Sequence, residues 1–102
     1  MIVYNKLVRD RIPEIVAADG KVAKTRVLEL PEYEQALGEK LGEELDEYRK
    51  IGDTAELADM VDVILALAAV GGLDESAFYE LVLLKRSRQG SFKDRLFLEC
   101  VD

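Results

Sequence analysis

The chain contains no histidine. That absence removes Ser-His-Asp and Cys-His nucleophilic machinery, and histidine-rich zinc sites with them. Cysteine occurs once, at Cys100, so no disulfide can form within the chain and a reducing cytoplasm is the expected compartment. Cys100 itself reads as a small apolar side chain in a C-terminal strand. Long hydrophobic runs are missing too. The best of them, Leu57 to Val70, carries Asp59 and Asp62 and is too short and too charged to span a bilayer. The opening Met1-Ile2-Val3-Tyr4-Asn5-Lys6 has no uninterrupted apolar stretch and does not read as a signal peptide. There is no GxxxxGK[ST] loop, which excludes a Walker-type phosphate cradle. Repeats, low-complexity stretches and linkers are absent, and residues 1–102 read as one unit. Positive charge is also in short supply. Lys and Arg number 14 against 21 Asp and Glu, a net charge of -7. Neither nucleic acid nor a membrane surface is expected as a partner, and any phosphate ligand requires divalent cations or a local basic cluster.

What is present reads mainly as helix. Pro13 suits the first turn of a short helix through Ile15 and Val16, with Gly20 as its stop. Thr25 to Leu30 reads as a strand, and Pro31 breaks the chain before a long helix from about Glu32 to Lys50. Gly52-Asp53 makes a turn, and Asp53 is placed to cap a helix from Thr54 to Val70 with Glu56 at its N3 position. That helix is apolar around most of its circumference, and a chain of 102 residues has little protein with which to surround it. A dimeric helical core, a homodimer or higher homo-oligomer, is the simplest expectation. Gly71-Gly72 ends the helix, and Asp74 caps a third long one whose last turns carry Lys85, Arg86 and Arg88. Arg95 to Val101 alternates and is expected to pair with Thr25 to Leu30 as a small antiparallel ribbon. The fold class is therefore all-α in the main, with that ribbon added.

One acid stands out. Leu37, Leu41, Leu45, Tyr48 and Ile51 trace an apolar stripe at spacings of three and four, and Glu44 falls in the middle of it. A buried carboxylate is costly unless a cation or donors satisfy it. Glu47 borders the same face one turn on. Glu56 and Asp59 repeat the three-residue spacing on the next helix. The short turn between the helices brings both pairs near one end of a hairpin, where hard-oxygen donors from two sides suit Mg²⁺. Each acid also has an ordinary use. Glu43 reads as a solvated residue or an additional ligand, Glu47 as a partner of Lys50, and Glu56 as the capping partner of Asp53. Asp62 is either a ligand or a buried acid bonded across a subunit contact.

Glu43-Glu44-Leu45-Asp46-Glu47 followed by Glu56-Leu57-Ala58-Asp59 resembles the EExxE…ExxD signature of the all-α nucleoside triphosphate pyrophosphohydrolases, the MazG-like superfamily. The segments Tyr4-Asn5-Lys6-Leu7-Val8-Arg9-Asp10-Arg11-Ile12-Pro13 and Arg88-Gln89-Gly90-Ser91-Phe92-Lys93-Asp94-Arg95-Leu96-Phe97-Leu98 look like a small single-domain, phosphoribosyl-ATP pyrophosphohydrolase-like branch described as house-cleaning enzymes. Eight residues separate Glu47 from Glu56, a tighter connection than in many members. The resemblance implies a helical bundle with a dimeric core and hydrolysis of a nucleoside triphosphate to monophosphate and pyrophosphate. It implies Mg²⁺, with Mn²⁺ as a substitute, held by Glu44, Glu47, Glu56 and Asp59.

Chemistry leads to the same expectation. Phosphoryl and nucleotidyl transfer need neutralised phosphate charge and an oriented water. Without histidine the base is a carboxylate or a metal hydroxide, and Glu47, at the edge of the stripe, is the candidate. Lys6, Arg9, Lys85, Arg88, Lys93 and Arg95 are the cations available to bind the phosphates of a nucleoside triphosphate or related pyrophosphate-containing molecule. The rival is a non-catalytic helical dimer that binds a nucleotide or another protein, in which Glu44 and Asp59 would only specify a helix interface.

Overall fold

The computed structural model describes residues 1–102. It contains four helices and no strands: α1 (Ile12–Ala18), α2 (Leu30–Ile51), α3 (Thr54–Val70) and α4 (Glu75–Gln89). α2 begins two residues ahead of the expected Glu32, because Pro31 sits inside its first turn, where a missing N–H costs nothing. It ends at Gly52, whose φ of 75° closes the helix by donating its N–H to the Tyr48 carbonyl at 2.7 Å. Asp53 starts α3 at once, its side chain accepting from the Ala55 N–H at 2.9 Å. Two residues are thus the whole connection, and α2 and α3 pack along each other as a hairpin. α3 closes at Gly71-Gly72, with the Leu73 N–H returning to the Ala68 carbonyl. Asp74 caps α4 by accepting from the Ala77 N–H, and α4 packs on α3.

The expected antiparallel ribbon does not form. No backbone hydrogen bond joins residues 25–30 to residues 95–101. Val27, Leu96 and Phe97 are exposed, and Leu30 belongs to α2. Arg95 takes a φ of 59°, which turns the chain out of the extended conformation where the second strand was to begin. Cys100 correspondingly lies exposed in an irregular tail rather than in a strand.

The packed interior is thin. Leu37, Val63 and Glu44 are the only buried residues. The chain exposes 9258 Å², against roughly 5,800 Å² for a compact monomer of its mass. Its radius of gyration is 17.8 Å, where about 13 Å is usual at this length. Leu57 and Val61 of α3 and Leu81, Leu83 and Leu84 of α4 all remain substantially open to solvent. No helix is long and apolar enough to cross a membrane.

Candidate metal centre

The α2–α3 contact carries the acids. Leu37 and Glu44 lie seven residues apart on the face of α2 that meets α3, and both are buried, Glu44 with only 8% of its surface exposed. On α3, Glu56, Asp59 and Val63 follow at spacings of three and four, so Val63 seals the face that the two acids share. One carboxylate oxygen from each of Glu44, Glu56 and Asp59 lies within 4.8 Å of the others. The donor set is all hard oxygen, which suits Mg²⁺ or Mn²⁺ rather than a thiophilic metal.

Like charges at this separation do not all remain ionised. The Glu56 carboxyl is pushed up to about 7, first by a hydrogen bond with Glu44 and by partial burial, then by the charges of Glu44, Asp59 and Glu47. Glu56 therefore does not act as the capping-box partner of Asp53. Its carboxyl is turned to Glu44, and the cap rests on Asp53 alone.

Glu47 stands half-buried beside this group, close enough for its charge to act on Glu56, but outside the three oxygens that converge. Glu43 is exposed and faces Lys6, whose Nζ is 3.9 Å from its carboxylate. Asp62 is neither buried nor turned to the cluster. It accepts a 2.6 Å hydrogen bond from Nη1 of Arg9, while Nη2 of the same guanidinium donates to Asp59, also at 2.6 Å. Both Nη groups of Arg9 are thus committed to α3, which holds its pKa above the ordinary arginine value, chiefly through Asp62 and then Asp59.

The remaining cations lie apart from the acids. Lys85, Arg88, Lys93 and Arg95 make no ion pair. Lys85, Lys93 and Arg95 line shallow grooves around Gly90, Ser91 and Phe92, and no acid of the cluster borders either groove. Arg88 sits in the last turn of α4, where the helix dipole favours a cation.

Lys40 is the residue that the sequence reading passed over. Its Nζ is 3.4 Å from the Glu44 carboxylate, one turn earlier on α2, and its side chain is largely covered. The signal was available as a Lys-to-Glu spacing of four leading into the one acid of an apolar stripe.

No protein-family model matches the chain, and no solved structure matches it. A protein of Mycolicibacterium smegmatis described as uncharacterized is 47% identical over 53 residues, which cover 52% of this chain and 53% of that protein. The chain thus matches about half the length of that relative.

Proposed function

We propose that this chain is a Mg²⁺-dependent nucleoside triphosphate pyrophosphohydrolase acting as a homodimer or higher homo-oligomer, in keeping with its resemblance to the MazG-like superfamily. The observation that carries the reading is the convergence of Glu44, Glu56 and Asp59 within 4.8 Å, with Glu44 buried in a helix interface. A carboxylate is stable at such a place only with compensation; Lys40 supplies part of it from one side and the proton held on Glu56 part of it from the other, and a dication would replace that proton. Glu44, Glu56 and Asp59 would hold the divalent cation. When bound, it supplies neutralisation of the substrate phosphates and of the charge that develops on them. Glu47, beside the three but not among them, is the carboxylate free to accept a proton from the attacking water. The unpaired Lys85, Lys93 and Arg95 are the cations free to bind phosphate. Lys6 and Arg9 already face carboxylates.

Self-association is supported by surface. Each chain exposes roughly 3,500 Å² more than a compact monomer of its mass, so two copies together have about 7,000 Å² of excess surface, more than enough for the roughly 2,000–5,000 Å² in total that obligate homodimers bury. A second copy would also bring another Gly90–Phe92 groove, with its cations, to the assembly. One observation favours the non-catalytic alternative: within a single chain the cationic grooves and the acids do not share a cavity.

The deciding experiment incubates a panel of nucleoside triphosphates with Mg²⁺ and assays pyrophosphate and orthophosphate separately, with a chelator and Glu44→Gln as controls. Pyrophosphate release that needs both Mg²⁺ and Glu44 is expected. A folded oligomer that turns over no nucleotide overturns the enzyme reading in favour of the binding module.

A further inference from the structure

The N-terminal segment ahead of α1 has no helix, and α1 does not pack on the hairpin as α3 and α4 pack together. On either side of the half-buried Leu7 and Val8, two cations three residues apart tie the segment to the hairpin. Lys6 reaches Glu43 on α2, and Arg9 reaches Asp59 and Asp62 on α3. The segment therefore straddles the hairpin at the level of the acids. From this geometry we infer that Arg9 is a positioning residue for the metal centre, with Asp62 holding Arg9 so that Arg9 holds Asp59.

This inference rests on the metal reading of Glu44, Glu56 and Asp59, and three observations carry it beyond that reading. First, Arg9 engages Asp59 through Oδ1 alone, which leaves the second carboxylate oxygen without a hydrogen-bond partner and open to a cation. Second, the fork is fixed at both ends by 2.6 Å bonds from two different Nη atoms, a rigid planar pair of donors that a guanidinium presents and an ammonium does not. Third, Asp62 offsets the charge of Arg9, so the pair is neutral and does not repel an incoming dication as a lone arginine would. A hydrogen-bonded partner that orients a ligating carboxylate typically contributes about 10–100-fold in metal affinity.

The test titrates Mg²⁺ calorimetrically into the full-length chain, without nucleotide, at fixed pH and ionic strength. The variants are Arg9→Gln/Asp62→Asn, which leaves net charge unchanged, Asp62→Asn alone, and Arg9→Lys. Circular dichroism and sedimentation confirm that each keeps the helices and assembly of the wild type. The double variant is expected to bind Mg²⁺ about 10-fold more weakly or worse. Arg9→Lys, which keeps the charge but loses the rigid pair of Nη donors, is expected to recover part of that loss. Should the double variant fail to fold, Asp62→Asn carries the test, because it exchanges the charge-assisted bond at one end of the fork for a weaker one to a neutral amide oxygen while leaving the Arg9–Asp59 bond. Affinity in the folded variants equal to or tighter than wild type overturns the positioning role and makes Arg9 a competitor for Asp59. A wild-type chain that binds no Mg²⁺ overturns the metal reading itself, and the two failures are thereby told apart.

Discussion

Glu44 of α2 and Glu56 of α3 bring carboxylate oxygens within 4.8 Å of each other across the helix hairpin, and a hydrogen bond between two such carboxyls requires a proton. Glu56 consequently holds its proton up to about pH 7, well above the usual 4.5. Folding without metal takes up a proton between those two values. The stability contributed by this pair is complete below about pH 4.5 and is lost as pH rises through about 7. Thermal melts in chelator should therefore show the wild type losing stability relative to Glu56→Gln between pH 5 and pH 8, in steps on the order of one pH unit. Magnesium competes with that proton, so its affinity should strengthen as pH rises and level off above about 7. A pH-independent difference between the two proteins would show that the carboxyls do not share a proton.

Replacing Glu44 with Leu separates stability from activity. The acid occupies a position on an apolar stripe, and apolar residues in place of buried charges are frequently stabilising, by about 1–4 kcal/mol. Glu44→Leu is expected to raise the melting temperature in chelator, abolish the stabilisation conferred by Mg²⁺ and abolish pyrophosphate release. Lys40 is not stranded by the change, because its stem can carry the ammonium to water. Denaturant titration with and without Mg²⁺ reads both effects. Metal-dependent stabilisation that survives in Glu44→Leu would remove Glu44 from the donor set.

Asp53→Ala removes the one side-chain cap of α3, at a cost of about 1 kcal/mol. Since Asp53 adjoins the turn that sets Glu56 against Glu44, the loss should be felt in Mg²⁺ affinity as well as in the denaturation midpoint. Asp74→Ala, at the start of α4, offers the matching control. It should lower stability by a similar amount and leave Mg²⁺ affinity unchanged. Equal effects of the two variants on Mg²⁺ binding would show that the turn does not govern the site.

Sedimentation equilibrium should return at least twice the 11.4 kDa chain mass. Dilution should then lower the melting temperature, as it does for chains whose folding and association are linked. A monomer whose melting temperature is independent of concentration would leave the exposed side chains of α3 and α4 uncovered, and would remove the support for self-association.

The helices were legible because local signals agreed with tertiary packing. Asp53, the apolar run from Leu57 and the Gly71-Gly72 stop bound α3 at the residues observed. The placement of Glu44 followed from period alone, because a face that buries Leu37 must bury the residue seven further on. The ribbon misled because alternation at Arg95 to Val101 describes a strand only when a partner and a surface exist, and these side chains meet neither. The bond from Arg9 to Asp59 and Asp62 was illegible because the partners are some 50 residues apart in sequence. Nothing local distinguishes an arginine that will meet carboxylates from one that will meet phosphate. The capping box was legible and wrong. Glu56 has the right spacing for Asp53, but a carboxyl on the neighbouring helix took the side chain instead.

The link made of Gly52 and Asp53 has a mechanical consequence. All three converging acids lie in the halves of α2 and α3 nearest to it. The hairpin is in effect a pair of tweezers gripped at the hinge, and the jaws are its far ends. Fraying or nicking near Leu30 or Val70 would spread the jaws while leaving the spacing of the carboxylates as it was. The part of the molecule that carries the chemistry is then the last to feel partial unfolding, and a chain with a small interior can lose order at its edges before it loses its donor set.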